Sequence, residues 1–225
     1  MMDSGDEPEL DRGQPGASVA REHHRRKSNR EILTRKAHPL IGGLLLAWRG
    51  APQSELAFHH GELGETAVAA YLEKHTARGE AILLHDRRMP GGYGNIDHLA
   101  IAPVGVFVID AKNIKGKVRV AKPLFGAAKL TIRGRNRTKL IDGLDRQTHA
   151  VRGALTTSGH PEVPVQGVLC FTAAADLPLL GTLKMRGHFL LHRRALAKRL
   201  KKRGPLQPPT IDALARTLAT VLPPA

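Results

Sequence analysis

"NIDHLAIAPVGVFVIDAK", Asn95 to Lys112, is the stretch that decides the fold. Its two runs, "IDHLAIA" and "VFVIDAK", are rich in Ile, Val, Phe and Ala and flank the turn signal "PVG", a pattern that predicts a buried β-hairpin. Three charged residues, Asp97, Asp110 and Lys112, interrupt those apolar runs. Residues two apart in a strand share a face, so Asp110 and Lys112 point the same way, opposite Phe107, Ile109 and Ala111. The face of Asp97 depends on the connection. A loop of two or four residues puts it on the face of Asp110, whereas a three-residue "PVG" loop does so only with a bulge.

A carboxylate and an ammonium on one face can serve one reaction centre. The carboxylate suits a hard divalent cation, and the lysine can orient or deprotonate a water or stabilise developing negative charge. Two neighbouring carboxylates repel, and a cation between them removes that cost. A third acid is on offer from the helix upstream, where Glu62 and Glu65 lie three apart on one face near the N-terminal end. On the residues alone the plainer reading stays open: solvated strand ends, with Lys112 paired to Asp110.

Working outward, "GELGETAVAAYLEKHTARG" (61–79) repeats its apolar positions at helical spacing and ends on Gly79. "AILLHDRR" (81–88) reads as a strand and "MPGGYGN" (89–95) as a loop. A shorter strand pair is expected at 117–120 and 128–134, a helix at 142–155, strands at 163–172 and 187–191, and two closing helices. Helix, three strands, helix, strand is the order of an α/β domain with a mixed sheet. Upstream, residues 1–16 place five acids before or beside the first Arg among Gly and Pro, a composition that predicts disorder. Residues 21–36 are a basic arm of helical composition, and "PLIGGLLLAW" (39–48) is an apolar segment about half as long as a bilayer span, expected to dock on the domain.

The chain of 225 residues is 41% hydrophobic, enough for a core, but only 4% aromatic, and its formal net charge is +15. Such a balance makes polyanions the expected partners, nucleic acid ahead of an anionic membrane. One cysteine, Cys170, excludes an internal disulfide framework and reads as core filler. With no basic-then-apolar leader in "MMDSGDEPELDRG", the default expectation is the cytoplasm. Histidine pairs at 23–24 and 59–60 lack the partners of a zinc site, and "GGYGN" is no phosphate loop. His98 is expected in the core or behind the site.

The residues also carry a resemblance. "GELGE" opening a helix, then "NIDHLAIAPVGVFVIDAK", then a Gln in a helix and "GVLCFT" in a strand resemble the nuclease-related domain (NERD) family of the PD-(D/E)xK nuclease superfamily, from about residue 58 to 175. The resemblance implies a PD-(D/E)xK-like mixed β-sheet core flanked by helices, with an N-terminal arm and C-terminal helices outside it. It also implies Mg²⁺ or Mn²⁺ and phosphodiester cleavage. By position, Glu65 would be the helix acid, Asp97 the first strand acid, Asp110 and Lys112 the acid-x-Lys pair, and Gln147 the polar helix residue near the site. Glu65 fits the pattern better than Glu62, and Ile114 replaces a frequent aromatic. The expected division is a partly disordered arm (1–38), an apolar lead-in (39–57), the nuclease-like domain (58–203) and a C-terminal helix (204–225).

Residues 111–140 hold ten Lys or Arg and no acid, and 184–203 hold nine and no acid. Beside a phosphodiester site these blocks predict a groove that tracks a nucleic-acid backbone, with Lys115, Lys117, Arg119, Arg133, Arg135 and Arg137 as contacts. Tyr93 and Phe125 are the few aromatics available for stacking, which favours duplex over single-strand recognition. The function expected is therefore a metal-dependent nuclease, on DNA rather than RNA. Two other readings stand beside it: a catalytically weak nucleic-acid-binding module, and a membrane or partner protein that uses the basic arm.

Overall fold

The computed structural model describes residues 9–37, 53–76, 81–92, 94–121, 126–172, 175–177 and 182–225. The expected docking segment 39–48, Tyr93 and Phe125 lie outside them, as does the side chain of Glu62.

Helices α1 (Ala17–Ala37) and α2 (Gln53–Thr76) lead into β1 (Ile82–Arg88), β2 (Asn95–Ala102) and β3 (Gly105–Lys112). A small set follows: β4 (Gly116–Ala121), β5 (Lys129–Ile132) and β6 (Arg135–Asn136). Then come α3 (Thr138–Thr157), β7 (Val165–Phe171), β8 (Ala175–Asp176), β9 (Leu183–Met185), β10 (His188–His192), α4 (Arg193–Leu200) and α5 (Pro208–Val221). The main sheet has the order β1-β2-β3-β7-β10-β9, and the small one β6-β5-β4-β8. β3, β7 and β10 run parallel while β1, β2 and β9 pair antiparallel, so the sheet is mixed as the element order predicts.

The strands are buried on both faces because helices cover both. Val68 and Leu72 of α2 and Leu196 and Leu200 of α4 pack on Ala100, Phe107, Ile109, Val168 and Cys170. On the other face α3 (Ile141, Leu144, Val151, Leu155) and α5 (Ile211, Leu214, Leu218) cover Leu99, Ile101, Val106, Val108 and Leu169. This explains why β3 is a nearly continuous apolar run rather than an alternating one.

Two departures from the sequence reading concern the N-terminal strap and the length of α2. Residues 9–16 were expected to be disordered, yet they form a strap over the exposed edge of β1. The His85 amide donates to the Arg12 carbonyl at 2.7 Å, and Leu10 packs on the core. Residues 222–225 seal the rest of that edge, where the Arg88 amide donates to the Pro223 carbonyl at 2.8 Å. Arg87, fully buried, locks both in place: it donates to the carbonyls of Leu222 and Ala219 at 2.6 Å and of Asp11 at 3.1 Å. Its cation thus sits at the C-terminus of α5, where the helix dipole favours positive charge. Covering an edge strand in this way removes a template for unwanted pairing. The second departure is length: the upstream helix, expected to start at 61, begins at Gln53.

Candidate active site

The β2–β3 connection is the two-residue turn Pro103–Val104, since Ala102 pairs with Gly105. Gly105 adopts φ +122, and a Cβ there would meet the Pro164 carbonyl oxygen at 2.4 Å, so the turn needs glycine. A two-residue turn fixes the register His98 opposite Ile109, and one step further Asp97 faces Asp110 on the same side of the sheet.

The two carboxylates and the lysine converge there. Lys112 Nζ donates to Asp110 Oδ1 and, at 3.0 Å, to the Ala111 carbonyl, and it stands 3.9 Å from Asp97 Oδ2. The Ala111 amide donates to Asp97 Oδ2 at 2.8 Å, which orients that carboxylate across the strand pair. The Lys112 side chain is 24% exposed, so the cluster is open to solvent on one side. Glu65 of α2 is buried at 7% exposure, and the charges that act on it most strongly are Asp97 and Lys112. Burial first, then Asp97, pushes Glu65 up to about 9, against the pull of Lys112. Burial also drives Asp110 up to about 7, with Lys112 opposing and Asp97 adding to the rise. For Lys112, burial works against the ammonium, but Asp110 and Asp97 outweigh it and hold the pKa above the ordinary lysine range. Lys112 is therefore held as a cation by its two carboxylates in this arrangement.

Gln147 lies on α3, and its amide donates to the Asn95 carbonyl at 2.9 Å, at the head of β2 two residues before Asp97. Its Oε1 is buried with no hydrogen-bond partner among the described residues. The structure thus brings Asp97, Asp110 and Lys112 into contact, leaves Glu65 within their electrostatic reach, and seats Gln147 against the backbone that carries Asp97.

Sequence reasoning gave no role to Asp86 or to the histidine below it. Asp86 stands opposite Asp97, between the pairs His85–His98 and Arg87–Ile96, with a left-handed φ of +47. Its carboxylate accepts from the amide and hydroxyl of Ser18 at the start of α1 and from Asn95 Nδ2 at 3.4 Å, and its charge helps raise Glu65. His85 and His98 bury both rings edge to face with Nδ1 atoms 2.9 Å apart, and His85 Nε2 lies 3.0 Å from Glu73 of α2. Burial, with the neighbouring His85 adding, lowers His98 to about 3, so it stays neutral. The pair ties α2 to β1 and β2 directly behind Glu65 and Asp97. The signal was present in "LLHDRR": His85, Asp86 and Arg87 are three consecutive polar residues in a strand buried on both faces, which must each find a partner.

Residues 60–172, half of the chain, match the family model described as nuclease-related domain. The chain belongs to the nuclease-related domain family. No curated protein and no solved structure matches it. The NERD match runs from α2, before Glu65, to Thr172 just past β7, and so contains the whole cluster. Family membership makes the function nuclease-related and fits the mixed α/β sheet described above. Among the described residues no helix is long and apolar enough to cross a membrane.

The NERD region also carries the first basic block. Lys115, Arg133, Arg135 and Arg137 line a cleft of about 680 Å³ with Asn113, Ile114 and Ile132, immediately beyond Lys112. Asn113 is fixed there by the Thr172 hydroxyl at 2.8 Å. Lys117 and Arg119 project from the outer face of β4, opposite Val118 and Val120. The six predicted contacts thus divide between cleft and outer face of one small sheet. A larger cleft of about 830 Å³ between α3 and α5, lined by Met89, Ala150, Ala154 and Val221, holds none of the acidic cluster. The second basic block was expected to flank the site as well, and it spreads along the sheet instead of staying at that end. Arg193 and its neighbour Arg194 open α4 at that end, Arg193 donating to the Ala67 carbonyl at 3.3 Å, while the helix carries Lys198 and Arg199 away.

Proposed function

We propose that the protein is a divalent-metal-dependent phosphodiesterase that cleaves DNA. The single observation that carries this reading is the seating of Lys112: two carboxylates and a backbone carbonyl already surround one positive charge. That donor set, all hard oxygen, fits Mg²⁺ or Mn²⁺. Among the described residues no three His, Cys, Asp or Glu side chains are grouped to hold an ion. Asp97 and Asp110 would therefore be its carboxylate ligands, the Ala111 carbonyl a third oxygen, and water the remainder, with Glu65 holding one of those waters. When bound, such an ion supplies charge neutralisation at phosphorus and a more acidic water.

The chain's own residues do the rest. Lys112, held cationic, orients the attacking water and offsets negative charge as the phosphate becomes five-coordinate. The Ala111 amide fixes the Asp97 carboxylate, and Gln147 holds the Asn95 carbonyl at the head of the strand that carries it. The Lys115–Arg137 cleft takes the phosphodiester backbone without reading sequence. Residues 58–203 are the proposed nuclease domain, with α5 packed on its core, and the cytoplasm is its proposed location, in keeping with a single buried cysteine.

Plasmid DNA, a duplex RNA and single strands, each incubated with Mg²⁺, Mn²⁺ or EDTA, test the proposal. Nicking of DNA that requires metal and disappears in Lys112→Met and Asp110→Asn is expected. Undiminished nicking by both variants, or by the native chain in EDTA, would overturn it.

A further inference from the structure

The cleft between α3 and α5 takes no part in the site described above. One wall is a single face of α3, where Arg146, Ala150, Gly153, Ala154 and Thr157 recur three or four residues apart, and Met89, Pro90 and Val221 make the other. From Asp145 to Ser158 that face advances thirteen residues, about 20 Å at 1.5 Å each. A volume of about 830 Å³ over that length leaves a mean cross-section of about 40 Å², roughly 6 Å across. An α-helix with its side chains is about 10 Å wide and does not fit, whereas one alkyl chain, with carbon contacts at about 4 Å, does.

Gly153 marks this space as left open. It sits in the interior of a 20-residue helix, where glycine is less stable than alanine. A Cβ built on it meets nothing within 4 Å, so no close approach asks for glycine there. Val221, large and apolar, is 42% exposed at the rim. The acid of the lining, Asp145, is already engaged, by Arg186 at 3.0 Å and by His188 at 2.6 Å. Arg146 and His149 lie at the same end, are exposed, and form no hydrogen bond or ion pair among the described residues. An apolar length that ends on a free guanidinium complements an amphipathic anion, and a guanidinium grips a carboxylate through paired hydrogen bonds.

We propose that this groove binds a free, single-chain amphipathic carboxylate, its alkyl chain laid along Ala150, Gly153 and Ala154 and its head on Arg146. With carbon–carbon bonds of about 1.5 Å a chain advances about 1.3 Å per methylene, so about 15 methylenes fill 20 Å. The width selects a free acid over a bilayer lipid, whose two chains side by side span about 8 Å. A nucleobase is the weaker fit, because its polar edges would lie against alanine and glycine. None of Asp97, Asp110 and Lys112 lines the groove, so the site stands apart from the phosphodiesterase reading.

Calorimetric titration of the full chain in EDTA tests this, with decanoate, dodecanoate, tetradecanoate and 1-dodecanol, each kept below the concentration at which it self-associates. Affinity should rise about three- to fourfold per added methylene, the gain expected for burying each one. Dodecanol should bind about tenfold more weakly than dodecanoate, and Arg146→Gln should erase that difference. Gly153→Leu puts a side chain into the groove and should abolish binding, with the melting temperature unchanged or raised. Gly153→Ala, which adds only a methyl group, should keep most of the binding. Full binding by Gly153→Leu, or an affinity flat in chain length, overturns the proposal. So does binding to phosphatidylglycerol vesicles without binding of free dodecanoate, or a dimer of the native chain that Gly153→Leu dissociates while dodecanoate fails to bind.

Discussion

Asp110→Asn should stabilise the protein while silencing it, and the structure sets the scale. Asp110 is 6% exposed, and burial and Asp97 push its pKa from 3.8 to about 7 even with Lys112 beside it. An acid whose folded pKa is raised binds a proton in the native state that the unfolded chain has released. Stability is therefore full below about pH 4 and falls as pH climbs toward 7. About three pKa units at 1.36 kcal/mol each give a ceiling of about 4 kcal/mol lost above pH 7 in the absence of metal. Asparagine keeps the shape and removes the charge, so urea melts at pH 8 in EDTA should show a gain of about 2 to 4 kcal/mol, and thermal melts a rise of several degrees. The native chain should lose stability between about pH 4 and 7, and the variant should show a shallower slope. Added Mg²⁺ should raise the melting temperature of the native chain and leave that of the variant unmoved. The opposite expectation is definite: if the Lys112–Asp110 pair were net stabilising, removing one partner would cost about 3 to 5 kcal/mol. A destabilised Asp110→Asn at pH 8 would refute the reasoning.

Other expectations follow from single contacts. Arg87→Met leaves the carbonyls of Ala219, Leu222 and Asp11 without their donor, and should cost about 3 kcal/mol or more in urea unfolding, with the C-terminal segment the first to become protease-sensitive. His98→Phe removes the buried partner of His85, which should cost about 1 to 3 kcal/mol, and because it loosens α2 behind Glu65 it should weaken calorimetric Mg²⁺ binding, whereas an equally destabilising change at Leu214 should not. Gly105→Ala forces a Cβ against the Pro164 carbonyl at a left-handed φ, and a loss of several degrees in melting temperature is expected.

What was legible in the sequence was whatever depends on the local pattern. The hairpin, the α/β order and the shared face of Asp110 and Lys112 follow from period-two alternation and one turn signal. The face of Asp97 did not, because "PVG" admits two loop lengths, and the choice is made by Pro164, sixty residues away, whose carbonyl crowds Gly105. Long-range partners hid the rest. "GDEPELDRG" has the composition of a disordered tail, yet Arg12 and Asp11 are held by hydrogen bonds from β1 that no window of sequence shows. Asp86 reads as one more charge in "HDRR" until its strand is placed beside Asp97.

The misplacement of the second basic block has the same origin and says the most about how the molecule is built. Charge along a chain maps onto a surface only through the direction of the element that carries it. Both blocks run past the carboxyl end of a parallel strand, one beyond Lys112 and the other beyond His192. The first is followed by β4, which turns away from the main sheet and keeps its cations beside the site. The second enters a helix that must run antiparallel to β10 to bury Leu196 and Leu200 on the sheet, and that burial carries Lys198 through Arg203 to the far end. The hydrophobic packing of α4, not electrostatics, sets where those cations lie.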